Sequence, residues 1–303
     1  MGLTLQLNVE RWPLREPFEI AREVMHALPL LHLTLSDRDG HRGQAESAGV
    51  DYDGETPASL ARQIEAVANR LHHDITGAEL QALLPAGGAR NALDCALWDL
   101  HAKRSGMPAW QRAGLPPWQP ILTAYTIGLG SADDTRRRIR AARGLPLIKL
   151  KVDAARHLDA LAMLREMLPH ARVVIDANQA WTPGLLERLL PALQAARVEL
   201  IEQPLPRGDD AALVGFASPI PLAADESCTD RQSLDALQGR YQAVNIKLDK
   251  CGGLSEALAL AREARERGFA LMVGNMCGTS LGMAPAFLVA QLARWADLDG
   301  PLL

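Results

Sequence analysis

From Ile121 to the end of the chain, short apolar runs alternate with amphipathic stretches eight times over, and few folds accept that rhythm. The apolar runs fall at 121–127, 147–152, 172–176, 198–202, 220–225, 243–248, 270–274 and 295–298. Helical periodicity fills intervals at 132–143, 157–168, 184–196, 230–238 and 255–267. Strands separated by helices pair in parallel, so eight such units predict a (β/α)₈-type barrel with its reacting groups at the C-terminal strand ends. Upstream the pattern differs. Alternating runs at Leu3–Val9, Leu30–Leu35 and Gly43–Ala48, with Asp37-Arg38-Asp39-Gly40 as a turn, read as an antiparallel meander. Glu16 to Glu23 reads as a loop, and helices are expected at 57–73, 76–84 and 89–103. Leu115-Pro116-Pro117-Trp118 interrupts both patterns as a linker. The expected class is α/β: a (β/α)₈-type (modified TIM) barrel over 116–303, preceded by an α+β capping domain over 1–115.

Among 32 basic residues only Lys103, Lys149, Lys151, Lys247 and Lys250 are lysine. Where a positive charge alone suffices, this chain uses arginine. A lysine gives up its proton when burial or a nearby cation disfavours the charge, whereas guanidinium stays charged. Lys149 and Lys151 stand two apart in an apolar strand and so share a face. Lys247 lies at the same level of a later unit, on the far side of an eight-stranded ring. Three of the strands end in Asp176, Glu202 and Asp225. Converging carboxylates repel one another unless a cation sits among them, and an oxygen-only set that leaves sites open suits octahedral Mg²⁺. None of the eight histidines falls at these strand ends, so zinc is not expected.

The net charge of −4 leaves no basic footprint for nucleic acid. Four cysteines lack C-x-x-C spacing, the first residues lack the apolar core of a signal peptide, and no apolar run is long enough to span a bilayer. A cytoplasmic protein is expected, with no membrane or nucleic-acid partner; a homo-oligomer is compatible with the sequence.

The K-x-K of Lys149 and Lys151, the strand-end set Asp176, Glu202 and Asp225, Lys247 within Asn245-Ile246-Lys247-Leu248-Asp249-Lys250-Cys251-Gly252-Gly253, and Arg90-Asn91-Ala92-Leu93-Asp94 to Asp99 together resemble the enolase superfamily, in its muconate-lactonizing-enzyme-like subgroup. Asp297-Leu298-Asp299 resembles the D-x-D of the superfamily's dipeptide epimerases of the L-Ala-D/L-Glu type. The resemblance implies a Mg²⁺-dependent enzyme, with Mn²⁺ able to substitute, that acts on a small dipeptide and inverts its C-terminal residue by 1,1-proton transfer through an enediolate. Lys151 and Lys247 are then the bases, and Lys149 the electrostatic helper that lowers a neighbouring lysine toward neutrality. Asp176, Glu202 and Asp225 are the metal ligands, Asp297 and Asp299 receive the substrate ammonium, and Arg22 receives an acidic side chain. Asp51, Tyr52 and Asp53 are expected in a second capping loop, and Gly274-Asn275-Met276 beside the pocket. The resemblance also implies that relatives continue past the position of Leu303 and return to the capping domain. N-acylamino acid racemization and o-succinylbenzoate synthesis use the same lysines and metal but need no D-x-D. A non-catalytic barrel serving assembly is a further reading, opposed by the full set of charged positions.

Overall fold

The computed structural model describes residues 2–19 and 24–303. An antiparallel sheet comes first, made of β1 (Thr4–Glu19), β2 (Val24–Ser36) and β3 (Arg42–Ser47) in the order β1-β2-β3. Of the loop expected over 16–23, residues 16–19 belong to β1, and residues 20–23 lie outside the described residues. After a register shift beyond Pro13, Phe18 pairs with Met25 and Glu19 with Val24, so β1 continues into that stretch. Helices α1 (Pro57–Val67), α2 (Gly77–Leu83), α3 (Gly88–Ser105) and α4 (Ala109–Arg112) follow; α1 and α3 pack on this sheet, and α2 and α4 contact α3. Reciprocal hydrogen bonds of Thr56 with Ser59, and of Thr76 with Glu79, close a capping box at the starts of α1 and α2.

The second region alternates strand and helix as expected. Its strands are β4 (Tyr125–Ile127), β5 (Leu147–Lys151), β6 (Arg172–Asp176), β7 (Val198–Glu202), β8 (Leu222–Ala224), β9 (Ala243–Ile246), β10 (Ala270–Val273) and β11 (Trp295–Ala296). Between them run α5 (Ala132–Ala141), α6 (Leu158–Met167), α7 (Pro183–Ala195), α8 (Leu234–Leu237), α9 (Leu248–Cys251), α10 (Leu254–Glu266) and α11 (Ser280–Ala290). The last of these carries no amphipathic signal. Its run Ser280-Leu281-Gly282-Met283-Ala284-Pro285-Ala286-Phe287-Leu288 is apolar on all sides and contains Pro285, so periodicity reveals nothing there.

The eight parallel strands are hydrogen-bonded in sequence order, β4 through β11. A single backbone bridge, Thr123 with Ala296, brings the first and last edges together, supported by Ala124 N–H donating to Ala296 O at 2.8 Å. This curled sheet has two apolar sides. Ala124, Leu147, Val174, Leu200, Ala223, Ala243, Met272 and Trp295 form an inner cluster of their own, one residue from each strand or its entry. The larger core lies outside it, between sheet and helices and on into the N-terminal region. Among the described residues no helix is long and apolar enough to cross a membrane.

Candidate active site at the C-terminal ends of the parallel strands

Side chains two apart on a strand share a face, so the layer above the inner apolar cluster follows by adding two to each of its members. The result is Thr126, Lys149, Asp176, Glu202, Asp225, Asn245, Gly274 and Asp297. Seven of these eight are polar, directly above a layer in which all eight are apolar. One step further along the strands stand Lys151, Lys247 and Asp299. Strand register alone therefore brings every predicted metal, lysine and D-x-D position to one end of the sheet; Lys151 pairs with Asp176, and Asp176 with Glu202.

The layer is knitted by charge. Lys149 Nζ lies 3.0 Å from Asp176, 2.8 Å from Glu202 and 2.8 Å from Asp297. Lys151 donates to Asp176 Oδ2 at 2.6 Å and to Asn178 Oδ1 at 3.0 Å. Lys247 donates to Asp225 Oδ2 at 2.7 Å, while Lys250 holds the other oxygen at 2.6 Å and also reaches Asn245 O at 3.0 Å. Asn245 Nδ2 donates to Glu202 Oε1 at 2.8 Å. A Cβ on Gly274 would come within 2.9 Å of that amide and 3.2 Å of Lys247 Cε, so only glycine leaves both side chains where they are.

These contacts bear on the role expected of Lys149: its own ammonium is held charged, and that charge works to lower the pKa of Lys247. Burial would drive its proton off, but Asp176, Asp297 and Glu202 surround it and push its pKa well above the ordinary lysine value. Lys247 is raised in the same way, its burial outweighed by Asp225. Glu202 shows the complementary strain: burial, and then the charge of Asp176, lift it to about 8.

Six carboxyl groups (Asp176, Glu202, Asp225, Glu226, Asp297 and Asp299) and four lysines (Lys149, Lys151, Lys247 and Lys250) are buried here together, and burial pushes Glu226 as well as Glu202 upward. Among the described residues no three His, Cys, Asp or Glu side chains enclose a metal-sized point, because the Lys149 ammonium stands between Asp176 and Glu202. The oxygen-only donor set of Asp176, Glu202 and Asp225 nonetheless fits a hard divalent cation, whose charge would favour the ionised form of the buried Glu202.

Above this layer lies a cavity of about 670 Å³. Lys151, Asn178, Asp225, Glu226 and Lys247 line its floor, and Leu28, Asp51 and Tyr52 come from the N-terminal region. Asn275 and Met276 line it as expected; Asp53 instead pairs with Arg207 at 2.9 Å. Asp297 and Asp299 are not part of its described wall and are 5% and 2% exposed, but Asn275, which is, donates to Asp297 O at 2.6 Å. Arg22 lies outside the described residues. Sequence reasoning passed over Thr126, Asn178 and Asn245, which the two-residue strand repeat would have found.

Two family patterns match this chain: "Mandelate racemase / muconate lactonizing enzyme, N-terminal domain" over residues 3–114 and "Enolase C-terminal domain-like" over residues 132–296. The chain belongs to the enolase superfamily. Within it, the chain is 41% identical to the L-Ala-D/L-Glu epimerase of Escherichia coli K12, over 98% of this chain and 93% of that one. It is 42% identical to the N-acetyl-D-glutamate racemase of a Pseudoalteromonas species, over 90% and 87%. Among solved superfamily structures, an enolase family member from Agrobacterium tumefaciens with bound sodium and L-Ala-L-Glu superposes with a TM-score of 0.95 at 43% identity, over 99% of this chain and 92% of that one. The dipeptide epimerase of Methylococcus capsulatus, complexed with Mg and L-Arg-D-Lys, gives 0.92 at 31% identity, over 100% and 92%.

Proposed function

We propose that this superfamily member is a Mg²⁺-dependent dipeptide epimerase that inverts the C-terminal residue of L-Ala-L-Glu and close relatives. One observation carries the reading: Lys151 on β5 and Lys247 beyond β9, on strands far apart in the sheet order, open on the same cavity beside the buried carboxyl layer of Asp176, Glu202 and Asp225. The relatives with L-Ala-L-Glu or Mg and a dipeptide bound support it.

Asp176, Glu202 and Asp225 are the residues that would hold the metal. When bound, the ion neutralises the negative charge that builds on a carboxylate losing its α-proton. The rest of the chemistry belongs to the chain. One lysine, as the free amine, takes the α-proton: the C–H bond breaks and an N–H bond forms. The other lysine, as ammonium, returns a proton to the opposite face, and the stereocentre inverts. Either lysine starts, according to the enantiomer bound. Asn178 and Asp176 hold Lys151 in place, and Asp225 holds Lys247. Lys149 supplies fixed positive charge between the metal-ligand carboxylates and the D-x-D. Asp297 and Asp299 receive the substrate ammonium, and Arg22 an acidic side chain. In this reading the curled sheet acts as a closed (β/α)₈-type barrel, with the capping domain ending near residue 115, as the limits of the two matched regions support.

A second reading has one specific support, the likeness to an N-acetyl-D-glutamate racemase: the inverted centre is then an N-acylglutamate. Incubation in D₂O with Mg²⁺ separates the two. L-Ala-L-Glu should gain one mass unit at the Glu α-carbon and yield the L,D diastereomer, at a rate well above racemization of N-acetyl-L-Glu. Faster turnover of N-acetyl-L-Glu would overturn the dipeptide assignment, and turnover of neither would overturn both.

A further inference from the structure

The last strand of the parallel sheet is its shortest, and the seam it makes with the first is only partly a backbone ladder. The ladder's last bond is Ala124 N–H to Ala296 O. Beyond it, side chains take over. Leu298 N–H donates to Thr123 Oγ1 at 2.8 Å, Thr126 N–H to Asp299 Oδ2 at 2.6 Å, and Thr126 Oγ1 to Asp297 Oδ1 at 3.2 Å. Thr126 thus touches both carboxylates of the D-x-D, Asp297 with its hydroxyl and Asp299 with its backbone N–H and side chain, and it is itself only 7% exposed.

We infer that Thr126 is a positioning residue for the substrate-ammonium site, clipping Asp297 and Asp299 into one orientation across the sheet seam. The inference rests on the reading that those carboxylates receive the ammonium. Asp297 has two oxygens with different duties: Oδ2 faces Lys149 at 2.8 Å, and Oδ1 is held by the Thr126 hydroxyl. Without the hydroxyl, nothing on the first strand opposes rotation of that carboxylate toward the buried Lys149, and the oxygen offered to a ligand is lost. The backbone N–H survives substitution by Val, Ala or Ser, so Asp299 keeps its 2.6 Å bond and the seam its backbone contact while the Oδ1 of Asp297 is released. Burial and the neighbouring Asp297 raise Asp299 to about 7, and the Thr126 contacts work against that rise.

The test compares L-Ala-L-Glu with propionyl-L-Glu, the same skeleton without the ammonium, in wild type, Thr126→Val, Thr126→Ser and Asp299→Asn. Thr126→Val should lower the preference for the dipeptide about tenfold, the order expected for a hydrogen bond to a charged group. The loss should enter through KM for the dipeptide, with no matching loss on propionyl-L-Glu, and Thr126→Ser should restore the preference. Thr126→Ala serves as the second variant without a hydroxyl if Thr126→Val does not fold. Equal losses on both substrates, or none, would overturn the inference and leave Thr126 a seam residue. If Asp299→Asn abolishes the preference while Thr126→Val leaves it intact, Thr126 alone falls. Where wild type shows no preference and Asp299→Asn changes nothing, the ammonium reading falls, and this inference with it.

Discussion

The position of each lysine follows from a residue-scale constraint, the alternation of strand side chains. Lys149 and Lys151 share a face, but only Lys151 reaches the cavity, because Lys149 is spent on Asp176, Glu202 and Asp297. Lys151→Ala and Lys247→Ala should each abolish epimerization while retaining α-proton exchange with D₂O for one diastereomer, and the two variants should choose opposite ones. Proton NMR of each substrate diastereomer in D₂O reads this directly; exchange of the same diastereomer by both variants would refute the two-base geometry. Gly274 makes a second case. Alanine there would press on the Asn245 amide, which is fully buried and bonded to Glu202, and on Lys247. Gly274→Ala should therefore keep its circular dichroism spectrum and lose at least about tenfold in kcat, a 1.4 kcal/mol change in barrier. Wild-type kcat would show that the close approach is slack.

At the scale of elements, two segments that the sequence presents as separate motifs are halves of one joint. Arg90 and Asp94 stand one turn apart on α3 and face Gly252 and Gly253 ahead of α10. Arg90 donates to Cys251 O at 2.7 Å and to Gly252 O at 3.1 Å. Asp94 accepts from Ser255 N–H at 2.8 Å and from Ser255 Oγ at 2.6 Å, and so caps α10 from the other region of the chain. Gly253 has no side chain to cap with, its φ of +111° favours glycine, and a Cβ would collide with Asp94. Burial raises Asp94 to about 6 despite the Ser255 bonds. Between its ordinary value of 3.8 and about 6 the folded chain keeps a proton that the unfolded chain has released, so stability from this group falls as pH rises through that window. The full cost is about 3 kcal/mol, of which about 2 falls between pH 4.5 and 7. Asp94→Asn cannot titrate. Urea unfolding of both proteins should show the variant gaining on wild type by that amount across the window, and parallel pH profiles would mean Asp94 is ionised throughout.

Charge balance is a property of the whole molecule, since the groups that set it come from strands spread around the sheet. With Asp176, Glu202 and Asp225 buried together in the layer, the chain should be markedly stabilised by Mg²⁺ or Mn²⁺ and inactivated by EDTA. At a hundredfold excess over its Kd, one bound ion adds about 2.7 kcal/mol. Thermal melts with and without Mg²⁺ should show this as a rise in Tm that Asp176→Asn diminishes. A Tm indifferent to Mg²⁺ in wild type would remove the divalent cation from the reading.

The alternation of apolar runs with helical periodicity was sufficient to establish, from sequence, the parallel sheet, the order of its strands and the level at which Asp176, Glu202, Asp225 and Lys247 stand, because strand period and helix period are local properties of the chain. Helix α11 and the full length of β1 were not legible. The first is apolar all round with a proline inside, and the second pairs through a register shift that depends on a partner strand. Nor could sequence disclose that Lys149 bridges Asp176, Glu202 and Asp297, that Asp94 caps a helix of the other region, or that Thr126 clasps the D-x-D. Each of those depends on contacts between residues far apart in sequence, such as the 148 positions between Lys149 and Asp297, the 161 between Asp94 and Ser255 and the 173 between Thr126 and Asp299. Curling of the sheet brings such residues within hydrogen-bond reach, and electrostatics then acts on the distances that result.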